Sequence, residues 1–145
     1  MNHERSIDLA ALLLRTGLGA MFIAHALLKY FVFTPAGTVQ FFESLGLPAV
    51  LAYATIAAEL AGGAMLILGV HTRAIAFALV PVLLGATWVH LGNGWLFTAP
   101  KGGWEYPAFL TLAAVAVGLL GQGRYAVHFG PGPSRGTAGR LERAG

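Results

Sequence analysis

At 145 residues the chain has room for one domain; 57% of its residues are hydrophobic and only 10% are charged. Soluble domains carry about 25% charge, so the composition excludes an ordinary water-soluble globule and points to a membrane protein. The net charge of +3 owes much to four basic residues from Arg124 onward, which is no nucleic-acid footprint, and the absence of cysteine excludes a disulfide or thiol relay within the chain.

Met1–Asp8 reads as a short polar leader. Residues 9–30 are apolar and long enough, at about 1.5 Å per residue, to cross a bilayer core of roughly 30 Å. The run is too long for a signal peptide, Arg15 interrupts it, and no small-x-small cleavage site follows, so it is read as the first span. Arg15, Leu18, Phe22, His25 and Lys29 fall on one broad helical face.

Residues 31–48 read as a connection with a short amphipathic helix, started near Gly37-Thr38 and stopped by Gly46-Leu47-Pro48. Phe41, Phe42 and Leu45 form its apolar side, which suits the membrane interface. Residues 49–69 are the second span. Ala54, Ala58 and Gly62 line up its small face for close helix packing, and Glu59 stands near its middle.

Val70-His71-Thr72-Arg73 reads as a tight polar turn, and 74–90 as the third span, with Pro81 near its centre. Trp88, Trp95 and Trp104 bracket the following loop in the manner of an aromatic belt at one interface. The fourth span is placed at 104–121. Residues 1–125 are thus read as one four-span domain and 126–145 as a flexible basic tail. The expected fold is all-α: an integral membrane four-helix bundle with an amphipathic segment between helices one and two. Arg5, Arg15, Arg73 and Arg124 fall on the side of the termini against Lys29 and Lys101 opposite. The positive-inside rule then makes both termini cytoplasmic.

The candidate chemistry starts from Glu59, since an ionisable group inside a span is costly and marks a functional candidate. Two readings stand side by side: a structural acid paired with Arg15 or hydrogen-bonded to His25, and a proton or ligand site. His25 reads either as a cap on the outer end of the bundle or as a proton shuttle, histidine titrating near neutral pH. Lys29, four residues on and adjacent on the helix, reads alone as a lysine snorkelling to the interface. His25, His90 and Glu59 are acceptable metal ligands by type, but no ligand spacing supports them and no metal is expected. Arg73 reads as a topology anchor, and Lys101 and Glu105 as loop charges. No phosphate-cradling loop or nucleophile elbow is present.

Several pieces in order resemble the DoxX family of small bacterial membrane proteins. They are Arg15-Thr16-Gly17 with His25 and Lys29, Gly46-Leu47-Pro48, Glu59 with Gly62-Gly63, Leu68-Gly69 with Arg73, and Gly103-Trp104-Glu105-Tyr106-Pro107. The resemblance runs over about residues 9–125; it departs at Ala26, where the family pattern often has glycine. It implies an inner-membrane four-helix bundle associated with membrane redox chemistry. Some relatives resemble a subunit of a thiosulfate–quinone oxidoreductase, and others are linked to oxidative stress and to soluble antioxidant enzymes.

Three functions follow as expectations. The first is a quinone-linked redox subunit of an oxidative-stress or sulfur-oxidising system. In it Glu59, His25 and Lys29 handle protons, with Arg15, Phe22, Trp88, His90 and Glu105 as further binding residues. No haem, flavin or iron–sulfur motif is present, so electrons would come from a soluble or membrane redox partner or from a reduced substrate. The second is a non-enzymatic scaffold or assembly factor in the bilayer. The third is a small proton-coupled transporter acting as a homo-oligomer.

Overall fold

The computed structural model describes residues 2–127; among them are five α-helices and no strand. Helix α1 is His3–Leu27, α2 Pro35–Ser44, α3 Ala49–Leu68, α4 Thr72–His90 and α5 Glu105–Leu120. A π-helical turn, Leu28–Val32, prolongs α1, and a 3₁₀ turn, Leu91–Asn93, prolongs α4. Of the expected tail, only Ala126 and Val127 lie among the described residues.

Three helical stretches are long and apolar enough to cross a membrane: His3–Val32, Ala49–Leu68 and Thr72–Asn93. In each, no more than 28% of the apolar window is buried inside the chain. The rest faces outward, as it does in a protein solvated by lipid. Helix α5 is apolar but shorter; its 16 residues extend roughly 24 Å at about 1.5 Å per residue.

Two expected boundaries move. The polar leader is helical from His3, with Glu4 in the first turn where a carboxylate complements the helix dipole. The polar turn after α3 is also shorter, because Thr72 and Arg73 already belong to α4. Only Val70 and His71 separate Gly69 from that helix. The amphipathic segment is present as α2, which starts at Pro35. Thr34, at φ 63°, reverses the chain before it and accepts a hydrogen bond from Gly37 N at 3.2 Å.

Helix α1 packs on α3, α3 on α4, α4 on α5 and α5 back on α1, while α2 lies against α3. One end of the assembly gathers Arg15, the end of α3, the start of α4 and the end of α5. The other end gathers Lys29, α2, the start of α3 and the 91–104 loop. Leu18, Phe22, Leu66, Leu79, Leu83 and Val117 fill the centre. Lipid is as apolar as these side chains, so close packing between helices has to hold them together. Gly19 and Gly63 supply it. A Cβ on Gly19 would stand 2.6 Å from the Gly63 carbonyl, and one on Gly63 would stand 2.7 Å from the Gly19 carbonyl. The expected small face is therefore displaced. Gly62 rests on Leu79, Ala54 is exposed, and the closest approach of backbones uses Gly63 instead.

Candidate functional site

Glu59 lies ten residues into α3 and is 5% exposed. Its partner is Lys29: Nζ stands 2.8 Å from both carboxylate oxygens. The route to this pair is visible in the backbone. Side chains on a helix lean toward its N-terminus. Because α1 and α3 run antiparallel, Lys29 leans inward along α1 while Glu59 leans toward the start of α3. The π-helical turn adds to this, since its wider loop, closed by Phe33 N to Leu28 O at 3.0 Å, sits around Lys29. π-turns of this kind recur at functional sites. Thr38 of α2, buried, donates to the Lys29 carbonyl at 3.2 Å and ties α2 to the same place.

Two expectations are corrected here. Lys29 does not snorkel outward; it turns into the protein and is an ion-pair partner. Nor is Glu59 paired with Arg15. Arg15, 1% exposed, donates from Nη1 to the carbonyls of Leu66 (2.9 Å) and Ile67, and from Nη2 to the Tyr125 carbonyl at 2.7 Å. Leu66 is seven residues beyond Glu59, roughly 10 Å along α3, and that separates the two sites. The open carbonyls and negative dipole end of α3 take the place of a carboxylate for this cation.

His25 lies one helical turn before Lys29. Its Nδ1 is 2.8 Å from the Met21 carbonyl, which leaves Nε2 as the nitrogen able to exchange a proton. No hydrogen bond joins it to Glu59, whose carboxylate is taken up by Lys29. Its ring stacks on Tyr106 of α5, with centroids 5.9 Å apart and 23° between planes. Lys29, Glu59, His25 and Tyr106 thus draw α1, α3 and α5 together at the end opposite Arg15. The Tyr106 hydroxyl is enclosed and has no hydrogen-bond partner among the described residues.

Beside Tyr106 an open groove of about 520 Å³ runs along the outside of α5. Trp95, Phe97, Trp104, Tyr106 and Phe109 line it. Trp95 and Trp104 meet edge to face at 4.5 Å, and the loop carrying them is fixed by three contacts. Trp104 N donates to Gly94 O and Glu105 N to Trp95 O, both at 3.2 Å, while Phe97 N donates to the Glu105 carboxylate at 2.8 Å. Gly103 is needed at the crossing, where a Cβ would lie 2.2 Å from the Leu96 carbonyl. His90 braces the same loop, its Nδ1 within 3.2 Å of both the Gly102 carbonyl and Asn93 Nδ2.

The expected site residues therefore divide. Glu59, Lys29 and His25 come together. Glu105 and His90 shape the aromatic loop. Phe22 is packed in the central core, Trp88 is 57% exposed on the outer surface, and Arg15 works at the far end. Among the described residues, His25, His90 and Glu59 do not gather into a three-ligand group. Arg73 makes a long contact, 3.5 Å, to the Leu119 carbonyl at the end of α5. Tyr106 was missed as a site residue; its only signal is its place in the string Gly102–Pro107.

Comparison with known proteins covers the first part of this site. The sequence profile of the DoxX family matches residues 10–92, a stretch that holds Arg15, His25, Lys29 and Glu59 and ends before Tyr106. A protein of Bacillus subtilis (strain 168) named "Putative oxidoreductase CatD" is 39% identical over 83 residues, 57% of this chain and 60% of the relative. The chain thus spans about 60% of the length of the curated relative it matches. No solved structure matches it.

Proposed function

The chain belongs to the DoxX family, and from that premise we propose that it serves as a quinone-linked subunit of a membrane redox system. In this reading α1, α3, α4 and α5 form a four-helix bundle in the bacterial inner membrane, α5 making a short fourth crossing. Arg5, Arg15, Arg73 and Arg124 hold the termini on the cytoplasmic side. The Lys29 end then lies toward the outer face. The relative named as an oxidoreductase supports redox chemistry as the class.

The observation that carries the reading is the Lys29–Glu59 pair, its carboxylate buried and its lysine partly so, with His25 alongside, in spans whose other deeply placed charge is Arg15. Intramembrane ionisable groups with named partners are characteristic of proton handling. A bound quinone would supply the capacity to take up two electrons and two protons. The chain's own groups suit that partner: a lysine able to hold a carbonyl or release a proton, a carboxylate able to receive one, and an imidazole between them and the aromatic groove. Electrons enter from a separate redox protein or a reduced substrate.

The test is mass spectrometry of lipids and quinones copurifying with wild type and with Glu59→Gln in mild detergent. A quinone carried by wild type and lost from the folded variant is the expected result. A folded wild type that carries a protein partner and no quinone would refute the reading in favour of a scaffold.

A further inference from the structure

The connection between α1 and α2 is fastened at Lys29 by a side chain. Phe33 N, the amide that an α-helix would give to the Lys29 carbonyl, is spent on Leu28 O at 3.0 Å. The Lys29 carbonyl faces a hydroxyl instead, that of Thr38 on α2, at 3.2 Å. The same hydroxyl stands 2.9 Å from the Thr34 carbonyl, four residues back along the chain. A threonine hydroxyl has one proton to give. Turned to Lys29, it ties α2 to the π-helical turn. Turned to Thr34, it stays satisfied within its own segment and leaves the Lys29 carbonyl open.

Thr34 adds strain at the same place. Its φ of 63° and ψ of 154° lie in a region that glycine enters freely and a β-branched residue enters only at a cost. Strain of this kind raises the energy of the arrangement that contains it and narrows the gap to an alternative. No residue of the π-helical turn is buried, and Tyr30, Phe31, Val32 and Phe33 are all more than half exposed. Packing within the chain does little to hold the turn, so more of that task falls to Thr38, which is buried.

We infer that residues 28–38 form a latch on the Lys29–Glu59 pair, with the Thr38 hydroxyl as its catch and Thr34 as its strained hinge. Closed, the π-helical turn aims Lys29 at the carboxylate, 2.8 Å from both oxygens. Open, the turn relaxes, Lys29 follows its flexible stem to the interface, and Glu59 is left without its cation. Thr38 and Thr34 are positioning residues that act through the backbone around Lys29. The latch goes beyond the quinone reading and holds whatever the pair serves.

The experiment counts how often Lys29 is out. Lys29 and Lys101 are the only lysines of the sequence, and Lys101 is exposed. Both are acetylated with a water-soluble succinimidyl ester in lipid nanodiscs, and mass spectrometry gives the Lys29 rate relative to Lys101. Lys29 is expected to react more slowly than Lys101 in wild type and about three- to tenfold faster in Thr38→Val, the share of one hydrogen bond. Thr38→Ser restores the hydroxyl and should return the wild-type rate. Glu59→Gln, which removes the partner, should also speed Lys29. Thr34→Gly relieves the hinge at little loss as a cap and should slow Lys29 about threefold or more. A wild-type rate in Thr38→Val, or Thr38→Ser as fast as Thr38→Val, overturns the catch. A faster rate in Thr34→Gly overturns the strained hinge, and one Lys29 rate shared by all these proteins overturns the latch altogether.

Discussion

Removing one member of the Lys29–Glu59 pair at a time separates what each charge contributes to stability. With Nζ 2.8 Å from the carboxylate, the attraction at an effective dielectric near 20 is about 6 kcal/mol. Desolvating two ions offsets most of it, so the pair as a whole is near break-even, while stranding one partner costs about 3–5 kcal/mol. The two strandings are not equivalent. Lys29 stands at the end of α1 on a flexible stem, with its side chain 19% exposed, and when unpaired it can swing out to the interface. Glu59 sits nine residues from the nearer end of α3, roughly 14 Å, and cannot. Protonation is its remaining route to neutrality, and at pH 7 that costs about 3.7 kcal/mol from an ordinary value near 4.3. Lys29→Met is therefore expected to lose about 3–4 kcal/mol, Glu59→Gln about 1 kcal/mol, and the double variant about 1 kcal/mol. The assay is reversible unfolding of the four proteins in mixed micelles, analysed as a double-mutant cycle. Equal losses in the two single variants, or a double variant as poor as their sum, would refute the enclosed pair.

Other perturbations read other parts of the structure. Gly19→Ala is expected to cost about 1–3 kcal/mol by forcing α1 from α3, whereas Gly85→Ala, with nothing within 4 Å, should gain about 0.5–1 kcal/mol of helix propensity; thermal unfolding in detergent compares them. Arg15→Met removes the donor that holds Tyr125, so trypsin should cut after Arg124 about tenfold faster or more than in wild type, and an unchanged rate would show that Arg15 holds nothing there. Glu105→Gln weakens the Phe97 contact and removes a charge suited to the start of α5, so acrylamide should reach the groove tryptophans more easily, at a stability cost of about 0.5–1 kcal/mol.

The helices were legible because their apolar runs and terminators are local features. Gly46-Leu47-Pro48 ends α2 and starts α3 as the sequence suggests, and Glu59 stands out by chemistry alone. What was not legible is reach. Helical spacing puts His25 and Lys29 on one face but says nothing about which cation meets Glu59; that depends on how far α1 slides along α3. The slide is set by Gly19 meeting Gly63, a contact between two residues that each look like ordinary packing glycines. The first turn of α1 was also hidden, since a polar beginning reads as coil unless its contacts further along the chain are known. Tyr106 was invisible for a related reason: a tyrosine beside a proline carries no signal until α5 is laid against His25.

The Arg15 fork has a consequence for the order in which the molecule is built. Its acceptors lie 51 and 52 residues away on α3 and 110 residues away at Tyr125. Nearby, the Arg124 amide donates to the Asp8 carboxylate at 3.0 Å. At a synthesis rate of about 5–20 residues per second, the first of these acceptors emerges seconds after Arg15, and the last several seconds later. Until α3 is made Arg15 has none of these acceptors, and until Tyr125 is made it still lacks the last of them. The earliest helix made is thus the last to be locked, and a ribosome that stops short of Tyr125 leaves behind a chain whose first helix is only partly fastened.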